Sequence, residues 1–170
     1  MSTNGEMGAG GAAQPSPTYY LKIAEIKGDA VHKEHEGEIT VRSWGWGEKQ
    51  SRAAGHNEKG RVSMDNFVVT ATYDSAGPLL FQYCASGKPL KSAVLTWVVP
   101  DGKEFKTWMT VELTDVAIAS CNFEGPRDSL VPTMVFSIVF RKIEFKYAGN
   151  RPDGSPGKNV TASWDLSEDK

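Results

Sequence analysis

Apolar and polar side chains alternate along most of this chain, which is the pattern of half-buried β-strands. Successive side chains of a strand point to opposite faces, so residues two apart share a face. The segments that follow this rule are residues 19–26, 38–47, 61–73, 92–99, 105–113, 116–123, 132–147 and 160–166. About eight strands of this kind predict an all-β, mainly antiparallel fold, either a small β-barrel or a tight sandwich.

One segment has the three-to-four residue spacing of a helix instead. Leu80 and Cys84 lie on one apolar stripe. Ser75 can cap the start, and Pro78 suits the first turn because its missing N–H has no partner there. Gly87 follows in the position where a left-handed residue commonly ends a helix. The sequence therefore predicts one short α-helix on the side of the strand body.

Two places interrupt the strand pattern. Between residues 61 and 73 the apolar set changes face at Asp65 and Asn66, and a β-bulge there is expected to restore the register of one long strand. Residues 100–103 have the composition of a tight turn. The strands on either side of that turn are therefore expected to pair as a hairpin.

A strand near residues 38–51 has an unusual pair of faces. Strict alternation places Ser43 and Gly45 on one face with Val41, and Trp44 and Trp46 on the other. One interpretation is a strand whose indoles fill a core while its glycines relieve crowding. The other is a strand that lines a wall against which another molecule comes close. The large residues expected to form the structural core are Trp44, Trp46, Trp97, Phe136 and Phe140.

Length and charge restrict the classes of function. A chain of 170 residues is large enough for one hydrophobic core. Its 19 basic and 21 acidic residues are nearly balanced, which argues against nucleic-acid binding. No segment approaches the roughly 18 apolar residues of a spanning helix, so membrane insertion is not expected. Residues 1–17 contain neither Lys nor Arg and no apolar run, so no secretory signal is expected.

The chain divides into three parts by composition. Residues 1–18 are rich in Gly, Ala and Pro and are expected to form a disordered tail, because they carry too little apolar area to offset the entropy of ordering. Residues 19–166 are expected to form a single domain. Residues 167–170 form a short acidic tail.

The sequence contains few candidate residues for a catalytic, cofactor or metal site. The histidines fall in predicted loops without a Gly-x-Ser-x-Gly elbow or a catalytic Cys signature, and no phosphate-binding or dinucleotide motif follows a strand. We therefore expect no enzymatic activity and no cofactor. His32 and His35, flanked by Glu34 and Glu36, have a spacing that suits zinc, but a structural site normally needs four ligands and no Cys lies nearby. A solvated loop is the favoured interpretation, with no metal site.

Cys84 and Cys121 are the two thiols of the chain. Their even number permits a disulfide, whereas the lack of a secretory signal favours a reducing compartment and two buried thiols. Titration of free thiols with and without denaturant distinguishes these alternatives.

Five segments in register resemble the haemolysin-coregulated protein (Hcp) family, the tube proteins of bacterial type VI secretion systems. They are Tyr20–Gly28, Glu38–Ser51, Gly60–Phe67, Ala76–Lys88 and Met109–Val116. Each segment is weak by itself, but together they are specific. The resemblance extends from about Tyr19 to about Leu166, which is nearly the whole chain.

The resemblance implies a homo-hexameric ring, ring-on-ring stacking into a tube, and contacts with a spike protein and a contractile sheath. It also implies that small effector proteins are carried and chaperoned in the lumen, and that the protein leaves the bacterial cytoplasm without a signal peptide for the medium or a target cell. It places Ser43 and Gly45 at the lumen. It assigns ring stacking to a loop that contains His32, Lys33, Glu34, His35 and Glu36.

A second hypothesis is a monomeric or dimeric β-barrel that binds a small apolar ligand in its own interior. The bulk of the predicted core residues favours a filled interior over a cavity. The mass in solution separates the two hypotheses, since the tube subunit requires about six copies and the ligand-binding barrel does not.

Overall fold

The computed structural model describes residues 16–51, 60–149 and 155–168, and most of this part of the chain is strand. The strands are β1 (Thr18–Ile23), β2 (Ile39–Gly45), β3 (Glu48–Gln50), β4 (Val62–Met64), β5 (Phe67–Thr72), β6 (Leu90–Asp101), β7 (Glu104–Glu124), β8 (Thr133–Tyr147) and β9 (Val160–Asp165). Helix α1 (Ala76–Ser86) lies between β5 and β6, and a 3₁₀ turn (Leu166–Glu168) follows β9.

Six antiparallel strands close into a barrel. Their order is β5-β2-β1-β6-β7-β8, and β5 pairs with the first part of β8 to complete the circle. The second part of β8 leaves β5 and pairs with β9 instead, so β9 extends the sheet outside the barrel. The predicted all-β barrel with one helix is therefore confirmed, and the length of β8 is explained by its two successive partners.

The barrel interior is a packed apolar core. Every barrel strand contributes fully buried side chains, among them Leu21, Ile39, Phe67, Leu95, Leu113 and Phe136. Burial of one such side chain contributes roughly 1.5–3 kcal/mol. Because residues from all six strands meet in one cluster, the interior is filled by the chain itself.

Helix α1 has the predicted extent, but its first turn is held differently from the prediction. The backbone N–H of Ala76 donates to the Asp74 carboxylate at 2.9 Å, and the Ser75 hydroxyl donates away from the helix to Asp29. Gly87 has a φ of 64°, and its N–H donates to the carbonyl of Tyr83, as expected for a left-handed C-terminal residue.

Two predicted strand boundaries are wrong. Residues 61–73 form two strands in different sheets, because the N–H of Asp65 donates to the Gly47 carbonyl and β4 pairs with β3. Conversely, the two strands expected at 105–113 and 116–123 are the single strand β7. Asp115 interrupts its alternation with a φ of 50°, and the ladder continues beyond it.

Candidate functional site

Strand β2 carries the two residues that were predicted to face a lumen. The register of its pairing with β5 shifts between Val41 and Ser43, which marks a β-bulge. After the bulge, Trp44 packs against the core on the same side as Val41, while Ser43 and Gly45 are exposed. The strict alternation that placed Ser43 and Gly45 with Val41 is therefore wrong. The two residues share the outer face of the barrel.

The surface at Ser43 and Gly45 is open. A Cβ added at Gly45 would meet no atom within 4 Å. On the other side of the same strand, the Trp44 ring stacks on Phe67 with centroids 5.5 Å apart and meets the edge of Tyr19 at 6.2 Å. The indole therefore packs the strand against the barrel. Ser43 and Gly45 form a ribbon of small residues on the outer face.

The other predicted core residues lie at different depths. Phe136 is fully buried, whereas Trp46 and Phe140 are partly buried, pack against the core and lie 6.5 Å apart between ring centroids. Trp97 is partly buried and stacks on Tyr19 at 6.1 Å. The indole N–H groups of Trp46 and Trp97 are buried without a hydrogen-bond partner among the described residues.

The predicted stacking loop is folded onto the outer wall of the barrel. His35 is only 8% exposed, its ring stacks on Tyr20 with centroids 4.6 Å apart, and its Nδ1 lies 2.9 Å from Oε2 of Glu38. His32 is tilted against both rings at 5.4 Å and meets the edge of Phe105 at 5.0 Å. The solvated-loop interpretation is therefore wrong for His35, because Tyr20 of β1 and the neighbouring His32 cover its ring.

Other residues of this loop remain at the surface. Lys33, Glu34 and Glu36 are exposed, and Val31 is 93% exposed. Backbone hydrogen bonds close the loop on itself, including Gly37 to Ala30 and Ala30 to Glu38, each 2.9 Å. The result is a closed loop that exposes three charged side chains and one apolar side chain, Val31.

A cluster at the base of helix α1 anchors the loop. Asp29 accepts hydrogen bonds from the hydroxyl and the N–H of Ser75, and these bonds hold the pKa of Asp29 below its ordinary value. Asp74 accepts the N–H of Asp29 at 3.1 Å, and partial burial raises the pKa of Asp74. A Cβ at Gly28 would lie 2.6 Å from both Asp74 and the Glu38 carbonyl, so only glycine fits.

Sequence reasoning missed this anchor and the aromatic cover of the histidines. The Asp29–Ser75 bonds and the Tyr20–His35 stack join residues that are remote or unremarkable in the chain, and no local spacing connects them. A capping signal was present at Ser75, but the hydroxyl is used by the loop rather than by the helix.

The described residues contain no group of three or more His, Cys, Asp and Glu side chains arranged to hold a metal ion. Across those same segments, no helix is both long and apolar enough to cross a membrane. Exposed residues of the described segments lie on the loop, on the outer face of β2 and on β9.

This chain is similar to proteins of a known family over most of its length. The sequence model of the family described as "Type VI secretion system effector, Hcp" matches residues 20–147. Protein hcp1 of Pseudomonas aeruginosa is 27% identical over 153 residues, which cover 88% of this chain and 94% of the relative.

Solved structures give the same result. Hcp1 from Salmonella typhimurium superimposes with a TM-score of 0.75 at 27% identity, covering 92% of this chain and 99% of that one. The structure of a type six secretion system protein superimposes with a TM-score of 0.82 at 20% identity, covering 90% of this chain and 98% of that one, and so has the same fold. Because the family match spans most of the chain, this protein belongs to the Hcp family of type VI secretion system proteins.

Proposed function

We propose that this protein is the structural subunit of the type VI secretion tube, and that it forms hexameric rings that stack on one another. The observation that carries the proposal is the match to Hcp proteins over nearly their full length, 94% of a curated relative and 99% of a solved structure. Rings are built from head-to-tail contacts, in which two different patches of each subunit meet. The partners beyond the ring are the spike protein, the contractile sheath and small effector proteins.

The lumen would lie between copies and not inside the barrel. Phe67 and Phe136 are fully buried in the barrel interior, so the chain itself fills the space that a bound apolar ligand would need. This observation favours the tube subunit over the ligand-binding barrel. Ser43 and Gly45 lie outside the barrel, where six copies can line a shared channel with small side chains.

Strand β9 is our candidate for one of the two ring patches. Within the seven-stranded sheet, β9 has a neighbour only on its β8 side, so its other edge presents unpaired backbone groups. Val160 is 53% exposed and Trp164 is 46% exposed. Exposed apolar side chains beside a free edge are typical of a protein interface.

The loop between β1 and β2 is our candidate for stacking of one ring on the next. Its exposed charges, Lys33, Glu34 and Glu36, are placed to contact the neighbouring ring, while His32 and His35 fix the loop against the barrel. Export in this scheme starts in the bacterial cytoplasm and ends in the medium or a target cell.

Light scattering combined with size-exclusion chromatography tests the proposal directly. We expect a mass near six subunits and rings in negative-stain images. A monomer at every concentration, with an apolar molecule retained through purification, would contradict the tube subunit and support the ligand-binding barrel.

A further inference from the structure

The two cysteines lie where helix α1 packs against strand β7. Cys84 is four residues after the fully buried Leu80, so it lies on the helix face that meets the barrel. Cys121 pairs across the ladder with Phe136, whose side chain is fully buried. Directly paired residues of antiparallel strands share a face, so Cys121 points toward the core.

Both side chains pack against the same apolar cluster, and both are free and partly exposed. Burial raises the pKa of Cys121 to about 11, and the neighbouring Cys84 adds to that rise. Tyr73, just before α1, meets the Phe123 ring with centroids 5.6 Å apart, and Leu90, just after α1, pairs with Val116, so the helix runs along the stretch of β7 that holds Cys121. The helix and the strand therefore bring together two thiols that are separated by 37 positions in the chain (121 minus 84).

We propose that Cys84 and Cys121 form a redox-sensitive pair that closes into an intramolecular disulfide between α1 and β7 when the protein meets a small-molecule disulfide. The thiolate of one cysteine attacks a sulfur of the reagent, which releases one reagent thiolate and leaves a mixed disulfide on the protein. The second cysteine attacks that protein sulfur and releases the other reagent thiolate. Two protein thiols are oxidised, one reagent disulfide is reduced, and the two thiol protons pass to the released thiolates.

The order of attack follows from the burial of Cys121. Cys121 is rarely ionised at neutral pH, so Cys84 reacts first with the reagent and Cys121 resolves the mixed disulfide. The second step is expected to accelerate as the pH rises. In a reducing compartment the pair stays open, and in an oxidising one it ties the helix to the barrel wall.

The test uses the full chain, folded and reduced, incubated with oxidised glutathione at about pH 8.5. The protein is then unfolded in a maleimide reagent and separated without reductant. We expect loss of both maleimide additions, a monomeric band and a peptide that joins Cys84 to Cys121. Thermal unfolding should shift to higher temperature after oxidation and return after reduction, because the cross-link restricts the unfolded chain.

Two variants check the order of reaction. Cys121→Ser should keep one glutathione on Cys84, whereas Cys84→Ser should react slowly at Cys121. Circular dichroism confirms that each variant is folded. Two free thiols after oxidation, glutathione on both cysteines, or a disulfide between two chains would each overturn the proposal.

Discussion

Trp44 and Gly45 are adjacent in the chain and lie on opposite sides of the barrel wall. The indole of Trp44 stacks on Phe67 inside, whereas the space outside Gly45 is empty. A single β-bulge before them sets this arrangement. Substitutions at Trp44 should therefore affect stability, and substitutions at Gly45 should affect what the outer surface contacts.

Gly45→Arg tests the assignment of this ribbon to the lumen. We expect intact rings and an unchanged denaturation midpoint, because a side chain there meets no neighbouring atom. Co-purification of effectors with the rings should fall, because six arginines would occupy the channel. Gly125→Arg is the matched control, since Gly125 is equally open but lies in the turn after β7. Equal effector recovery with both variants would contradict the placement.

His35→Ala tests whether the loop is fixed by its buried histidine. The substitution removes the Tyr20 stack and the hydrogen bond to Glu38, whose side chain is only 14% exposed. We expect a loss of about 1–3 kcal/mol in unfolding free energy, measured by urea denaturation. Lys33→Ala, at an exposed position of the same loop, should change stability by less than about 0.5 kcal/mol. A stability of His35→Ala equal to that of Lys33→Ala would show that the loop is held by other contacts.

At the scale of elements, Arg141 joins two strands that reach it from opposite sides. Its Nε donates to Asp115 of β7 at 2.7 Å, and its Nη1 donates to Asp165 at the end of β9. Ser167 also donates to Asp165 from both its hydroxyl and its N–H. These bonds fix the end of β9, which pairs with one strand only in the main sheet.

The attachment of β9 is expected to depend on pH. The hydrogen bonds from Ser167, followed by those from Arg141, lower the pKa of Asp165 from 3.8 to about 2. Because the pKa of Asp165 is lowered in the folded state, its ionised carboxylate stabilises the fold at pH values above its ordinary pKa. This stabilisation is lost as the pH falls toward 2. Urea midpoints measured from about pH 5 to about pH 2.5 should decline more steeply for the wild type than for Asp165→Asn. Parallel curves would contradict this prediction.

The elements that sequence predicts well are those with local signals. Pro78 and Gly87 mark the ends of α1, and Gly102, with a φ of 64°, marks the two-residue turn between β6 and β7. The break after β4 and the bulge in β2 depend on partners that are distant in the chain, such as the Gly47 carbonyl that binds Asp65. Alternation reports that a residue lies in a strand, but a bulge changes which face it occupies.

In the candidate site too, contacts between residues that are distant in the chain are not predicted from the sequence. The sequence selects the loop and the tryptophan strand as unusual, and family resemblance supplies roles for them. It does not show that His35 is covered by Tyr20, or that Ser75 serves the loop instead of the helix cap. These contacts exist only after the barrel has closed and brought β1, the loop and α1 together.

For the whole molecule, β9 stands at the end of the main sheet and has a free edge among the strands that the structure describes. If β9 forms a ring contact, Trp164→Asp should disperse hexamers into smaller species while the monomer stays folded. The matched control is Phe81→Asp on α1, because Phe81 is also a large exposed apolar residue. Mass by light scattering and folding by circular dichroism provide the two measurements. Hexamers that persist in Trp164→Asp would show that the ring contact does not depend on β9.

The length of β7 has a mechanical consequence. A strand rises about 3.3 Å per residue, so its 21 residues extend about 70 Å along their path and must coil around the barrel. The strand is hydrogen-bonded to β6 over most of its first half and to β8 over most of its length. A force along β7 therefore acts on many of its hydrogen bonds to β6 and β8 at the same time. Such a force cannot break these bonds one after another from one end of the strand. In the tube proposed above, a subunit loaded along β7 would therefore keep its fold under forces that would unzip a strand pulled from one end.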